Sequence, residues 1–225
     1  MTSMEAKTGD TKTGRADGAA AVERCPTCGS EMPAGFRFCG QCGRALSATL
    51  APIPGDVVTI VFVDVTGFSA FTSRVDKEQV RDVIRIFHWL VREQVTRHGG
   101  FEVKQLGDGF MLAFSSPRRA LRCAIDVLRV TAPKDDGTGL PSAVRVCAGL
   151  NSGDAIREGD DFFGHTVNVA SRIMGRAKGG QVLLSEATRQ LVGEVEGVRF
   201  SDLGRKQLRG IKGRTRLYEA VWREA

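Results

Sequence analysis

"VVTIVFVDVTGF" occupies residues 57–68, and its reading decides the fold. The first seven positions are all β-branched or aromatic, and apolar but for Thr59, the composition of a strand buried on both faces. The run then ends on Asp64, an acid where a buried strand should continue or turn. A carboxylate there either caps the next turn or serves chemistry, and the rest of the chain must say which.

Working outward, "DKEQVRDVIRIFHWLVREQVTRHGG" (76–100) predicts a helix. Asp76 is its N-cap, Gly99 and Gly100 its stop, and Val80, Val83, Ile84, Phe87, Leu90 and Val91 repeat at helical spacing. "FEVKQLGDGFMLAF" (101–114) predicts a hairpin around Gly107-Asp108-Gly109. Ser116 and Pro117 open a second helix whose stripe is Leu121, Ala124, Ile125 and Leu128. "AVRVCAGLN" (143–151) supplies a fourth strand. The order β-α-β-β-α-β is the split-βαβ, ferredoxin-like arrangement of an α+β domain. A loop, a helix around 166–177, the strand "QVLLS" and a final strand near "RLYEAVW" complete the reading.

The 225 residues hold 42% hydrophobic and 26% charged side chains, enough for one full-sized domain and something small. No apolar run is long enough to span a bilayer, and the first twenty residues lack the apolar segment of a secretory signal. The expectation is a cytoplasmic protein without membrane contact. A net charge of +6 suits an anionic partner or simply a solvated basic face. One Tyr and two Trp make a base-stacking platform hard to build, which argues against nucleic acid.

Residues 1–23 are small and polar and predict a disordered tail. Next comes "CPTCGSEMPAGFRFCGQC", in which Cys25, Cys28, Cys39 and Cys42 make two Cys-x-x-Cys turns. Four thiolates complete one tetrahedral shell, so 24–46 reads as a ribbon folded by one structural Zn²⁺ with no open catalytic position. DNA contact, an unidentified protein partner and a spacer role are all open to it. "SATLAPIPGD" (47–56) is a linker, and 57–225 is the main domain. Cys123 and Cys147 lie apart and read as buried free thiols.

In a ferredoxin-like sheet the first and third strands are neighbours, so the hairpin turn carrying Asp108 lies near Asp64. Two adjacent carboxylates repel unless both merely cap turns or share a divalent cation. Hard oxygen donors suit Mg²⁺, which takes one or two carboxylates plus substrate phosphates. Gly67 and Phe68, just past the strand, would let backbone amides approach a phosphate.

Three blocks, "FVDVTGFSAF", "KQLGDGFMLAF" and "DFFGHTVNVASRI", resemble in order the signatures of class III nucleotidyl cyclases. The resemblance covers about residues 55–222. It implies that Asp64 and Asp108 hold two Mg²⁺ or Mn²⁺ ions, that Lys104 and Asp161 read adenine, and that Asn168 and Arg172 stabilise the transition state. Asn168 and Arg172 are four apart and share a helix face. Lys104 donates and Asp161 accepts, matching the acceptor nitrogen and amino group of adenine; guanylyl cyclases typically carry Glu and Cys there. A triphosphate-binding cation is expected at Arg209 or Lys212. "NSG" at 151–153 and Ser69 depart from the family pattern without touching these positions.

The resemblance thus implies an adenylyl cyclase that forms 3′,5′-cyclic AMP and pyrophosphate from ATP. Its active sites would lie at a homodimer interface, with metal aspartates from one subunit and the remaining residues from the other. The alternatives are a guanylyl or relaxed-specificity cyclase, and a silent nucleotide-sensing or nucleic-acid-binding module.

Overall fold

The computed structural model describes residues 22–25, 29–33, 39, 57–133 and 140–223. At the N-terminus β1 (Val22–Arg24) and β2 (Glu31–Pro33) form a two-stranded antiparallel hairpin. β1 therefore begins two residues inside the stretch read as a disordered tail. The rest of that tail and the 47–56 linker lie outside the described residues.

The main domain begins with β3 (Val58–Thr66), then a short helix α1 (Phe68–Thr72) and the long α2 (Lys77–Arg97). Asp76 caps α2 with a full capping box: its carboxylate accepts from the Glu78 and Gln79 amides, and Gln79 reaches back to the Asp76 amide. β4 (Phe101–Leu106) and β5 (Gly109–Phe114) form the expected hairpin, α3 (Pro117–Thr131) follows its Ser116 cap, and β6 (Arg145–Gly153) completes the βαββαβ unit. Its strand order, β6-β3-β5-β4, is the ferredoxin-like one.

That unit is the middle of a larger sheet. After β6 come a small hairpin of β7 (Ile156–Glu158) and β8 (Asp161–Phe163), then α4 (His165–Met174), β9 (Val182–Ser185), α5 (Glu186–Val192), β10 (Arg199–Gln207) and β11 (Arg214–Val221). The seven strands run β10-β11-β9-β6-β3-β5-β4, antiparallel except for β6 beside β9, the crossover made by α4. The sequence expectation took 153–165 as loop and did not foresee α5 or β10. β7 and β8 are three residues each, and β10 is an exposed edge strand with no apolar alternation, so neither carries a periodic signal.

Two layers cover the sheet. On one side α2 and α3 bury Phe87, Val91, Leu121, Ala124, Val127 and Leu128 against Val61, Val63 and Leu112, the main core. At about 1.5–3 kcal/mol per fully buried large apolar side chain, this face supplies most of the stabilisation. On the other side α4 and the β7–β8 hairpin pack on Val58, Ile60, Phe62, Met111 and Ala113 through Ala170 and Phe162, with Val167 and Met174 at the margin. The helix sits so close that a Cβ at Gly149 would lie 2.2 Å from the Met174 backbone nitrogen, so only glycine fits. Cys123 and Cys147 are buried free thiols, as the sequence suggests.

Candidate active site

β3 does not stop at Asp64 but continues two residues to Thr66. Alternation along the strand sends Val61, Val63 and Val65 to the α2/α3 core and Ile60 and Phe62 to the α4 side. Asp64 follows Phe62 on the α4 side. It is the first position of that row beyond the cover of apolar packing, and it is half-buried.

The register places Val63 opposite Phe110, so the next pair is Asp64 and Gly109, the residue that follows Asp108. A Cβ on Gly109 would stand 3.0 Å from Asp64 Oδ1 and 2.7 Å from the Val63 carbonyl oxygen. Glycine there leaves the carboxylate its space. The connection is a two-residue turn, Gly107-Asp108, since Leu106 pairs with Gly109; Gly107 has φ 62° and opens the turn. Asp64 and Asp108 are brought together as expected. Burial pushes the Asp64 carboxyl above the usual range, a hydrogen bond from the Val65 amide (2.9 Å) opposes that, and the charge of Asp108 adds to the rise. Cys147, opposite Asp64 on β6, is pushed up to about 12 by burial and then by the Asp64 charge, so it stays a thiol.

Two hard carboxylate donors side by side fit a divalent cation. No cluster of three or more His, Cys, Asp or Glu side chains is present among the described residues. Two protein ligands are what a magnesium site completed by phosphate oxygens requires.

Lys104 is on β4 opposite Met111, which is itself opposite Phe62. It therefore stands on the same face as Asp64, two strands over (about 10 Å) and one row back. Its Nζ donates to Asp161 Oδ2 at 2.6 Å and lies 5.5 Å from the Phe163 ring centroid. The β7–β8 hairpin delivers Asp161 there, and the Phe162 amide fixes its other oxygen at 2.8 Å. Partial burial works to raise the Asp161 carboxyl, but the Lys104 and Phe162 hydrogen bonds and the Lys104 charge outweigh it and hold it below the usual range.

Asn168 and Arg172 lie on the exposed face of α4, while Val169, Ala170 and Ile173 are buried beneath. Among the described residues neither side chain has a hydrogen-bond or ion-pair partner. Arg209 and Lys212 are exposed on the β10–β11 turn, which Leu208 and Ile211 anchor against Val169 and Ile173 of α4. Gly67 has φ 80° and begins α1, and the Phe68 ring packs on the main core. Cys25, just after β1, and Cys39, beyond β2, are buried; the Cys25 amide donates to Ser30 O, and the Gly29 amide to Cys25 O. Cys25 thus sits at a backbone turn, a setting in which its thiolate can be presented to zinc. Cys28 and Cys42 lie outside the described residues.

The sequence reading missed Arg92 and Glu102, which join α2 to β4 by a two-point ion pair at 2.8 Å behind the site. Arg92 falls on the buried arc of α2 with Val91 and Val95, and a charge inside an apolar stripe was the available signal.

Comparison with known proteins bears on the family and the fold. A family model described as the adenylate and guanylate cyclase catalytic domain matches residues 51–220, and a zinc-ribbon domain model matches 24–46. A pH-sensitive adenylate cyclase of Mycobacterium tuberculosis is 33% identical over 171 residues, covering 74% of this chain and 41% of that protein. A receptor-type adenylate cyclase of Trypanosoma congolense is 28% identical over 206 residues, covering 73% and 28%. The chain spans less than half the length of these curated relatives. Among solved structures, an adenylate cyclase of Trypanosoma brucei in its monomeric state superposes with a TM-score of 0.69 at 25% identity, covering 76% of this chain and 90% of that one. An adenylate/guanylate cyclase/hydrolase from Silicibacter pomeroyi superposes at 0.65 and 27% identity, covering 73% and 96%.

Proposed function

The chain belongs to the adenylate and guanylate cyclase catalytic domain family, with a zinc-ribbon domain ahead of it, and from that premise we propose that it is an adenylyl cyclase acting as a homodimer. The observation that carries the choice of ATP is the Lys104–Asp161 contact at 2.6 Å. A donor and an acceptor held side by side match the acceptor nitrogen and amino group of adenine. Guanine presents the reverse order, leaving both protein groups facing their like, and a site built on hydrogen bonds rejects such a mismatch strongly.

Each residue has a role that its surroundings permit. Asp64 and Asp108 would hold two Mg²⁺ or Mn²⁺ ions, which when bound neutralise the triphosphate and acidify the ribose 3′-hydroxyl. Asn168 and Arg172 project free side chains from one helix face. The amide would orient the ribose, and the guanidinium would meet the charge that grows on the α-phosphate. Arg209 or Lys212 would bind the outer phosphates. The 3′-oxygen attacks the α-phosphorus in line, the bond to the β-phosphate oxygen breaks, and pyrophosphate leaves. No side-chain nucleophile is required.

Asp64 and Asp108 of one protomer would complete a site with Lys104, Asp161, Asn168 and Arg172 of its partner, giving two equivalent sites related by a two-fold axis. The zinc ribbon would take one structural Zn²⁺ through Cys25, Cys28, Cys39 and Cys42. The deciding experiment is cyclic-nucleotide formation by the purified protein with Mn²⁺ and either ATP or GTP, at several protein concentrations. ATP preference, with a rate per protomer that rises with concentration, is expected. A clear GTP preference or complete inactivity would overturn the reading.

A further inference from the structure

The geometry points to Arg92 as a positioning residue that decides which side chain of β4 faces the nucleobase; this rests on the assignment of Lys104 and Asp161 to the base. β4 pairs with β5 in two registers. Phe101 and Glu102 face Ala113 and Leu112, whereas Lys104, Gln105 and Leu106 face Met111, Phe110 and Gly109. Val103 is the extra residue of a β-bulge. Had the first register continued, Val103 would stand opposite Met111 and Lys104 would turn to the α2 side, away from Asp161. Side chains alternate along a strand, so this one inserted residue chooses the face.

Arg92 grips the bulge from both ends. Its Nε donates to Glu102 Oε2 at 2.8 Å, and its Nη2 donates to Glu102 Oε1 at 2.8 Å and to Gln105 Oε1 at 3.3 Å. Glu102 and Gln105 are three apart. In a regular strand such residues point to opposite faces, and only the bulge brings both to the α2 side. One guanidinium can therefore satisfy both partners in the observed register alone. Arg92 is 7% exposed, its Cζ is 5.2 Å from the Phe110 ring centroid, and a buried two-point charged contact is costly to break. His88, one turn earlier, packs edge-on to Phe110; burial, then the Arg92 charge, lowers its pKa to about 4. Gln105 in turn donates through Nε2 to the Gly107 carbonyl at 3.2 Å, in the turn that carries Asp108.

The test uses the full chain and three variants: Arg92→Met, Arg92→Lys, and Arg92→Met with Glu102→Leu, the last removing the ion pair without leaving a buried charge unpaired. kcat and KM are measured with Mn²⁺ and ATP or GTP, beside Lys104→Met, and the double variant is crystallised. The ratio of kcat/KM for ATP over GTP should fall about tenfold in the two variants that carry Arg92→Met, mainly through KM for ATP. Arg92→Lys should lie between, Lys104→Met added to the double variant should lower the ratio no further, and Lys104 should leave Asp161 in the crystal. A ratio unchanged by loss of Arg92 while Lys104→Met lowers it would overturn the inference, as would a Lys104–Asp161 contact intact in the double variant. If Lys104→Met leaves the ratio unchanged, the base-reading assignment is what falls; the crystal structure then decides the role of Arg92, loss of the contact supporting it.

Discussion

Lys104 and Asp161 are 57 residues apart in sequence and in hydrogen-bond contact in space, at 2.6 Å. One comes from an edge strand and the other from a three-residue strand with no part in the main sheet. Nothing in the fold requires that meeting. Both side chains are more than a quarter exposed, so the pair adds little to stability, which fits the recognition role proposed for it.

Exchanging the pair should therefore exchange the substrate. Lys104→Glu with Asp161→Cys is expected to cut ATP turnover about a hundredfold or more and to raise GTP turnover, with little change in melting temperature. Parallel assays on the two nucleotides, with a thermal melt, check it. Equal loss on both would point to damage rather than to selection.

Asp64→Asn should separate activity from stability. Turnover is expected to fall at least about a hundredfold, since one of the two carboxylates proposed to hold the metal ions is lost. The folded carboxyl has a raised pKa, so its contribution to stability is complete below the unfolded value and is lost as pH rises through the folded one. Ionised beside Asp108 at neutral pH and without metal, it destabilises the fold. The metal-free variant should melt higher than the parent at pH 7, and the gap should close in acid. Melting curves across pH, with and without Mn²⁺, test this; a variant less stable at pH 7 would contradict it.

Gly109→Ala should hurt through a single methyl group. The new carbon would stand 2.7 Å from the Val63 carbonyl oxygen, which is strand backbone and cannot step aside, and 3.0 Å from Asp64 Oδ1. A loss of about 1–3 kcal/mol is expected from overpacking, with weaker Mn²⁺ activation as Asp64 is displaced. Denaturant unfolding and metal titration of activity read the two effects separately.

Asn168→Ala and Arg172→Ala should do the opposite. Both side chains are exposed and unpartnered among the described residues, so stability should move by less than about 0.5 kcal/mol. Transition-state contacts of this kind are worth roughly a hundred- to a thousandfold in kcat. A rate within a few-fold of the parent would remove both residues from the catalytic set.

How much of this was legible beforehand follows from which signals are local. The strand ending near Asp64, the Asp76 and Ser116 caps and the Gly107-Asp108 turn are each written within a few residues, and they fix the βαββαβ order. The pairing of Asp64 with the Asp108 turn then follows from topology. The face of Lys104 does not, because it hangs on a bulge held by Arg92 from another element, and period-two reasoning sends the side chain the wrong way. β10 was missed because Arg199–Gln207, mostly polar and half-exposed at the margin, looks like loop until β11 is beside it. The β7–β8 hairpin that delivers Asp161 is too short for any period to register.

The bulge in β4 has a counterpart in β10, where the register slips between Asp202 and Arg205. These are the two outermost strands of the seven-stranded sheet, each with an unpaired side. Each is kinked, so neither offers a straight row of amides and carbonyls onto which a stray polypeptide could zip. The irregularity that turns Lys104 toward Asp161 thus also makes the sheet a poor template for sideways growth when the protein is crowded.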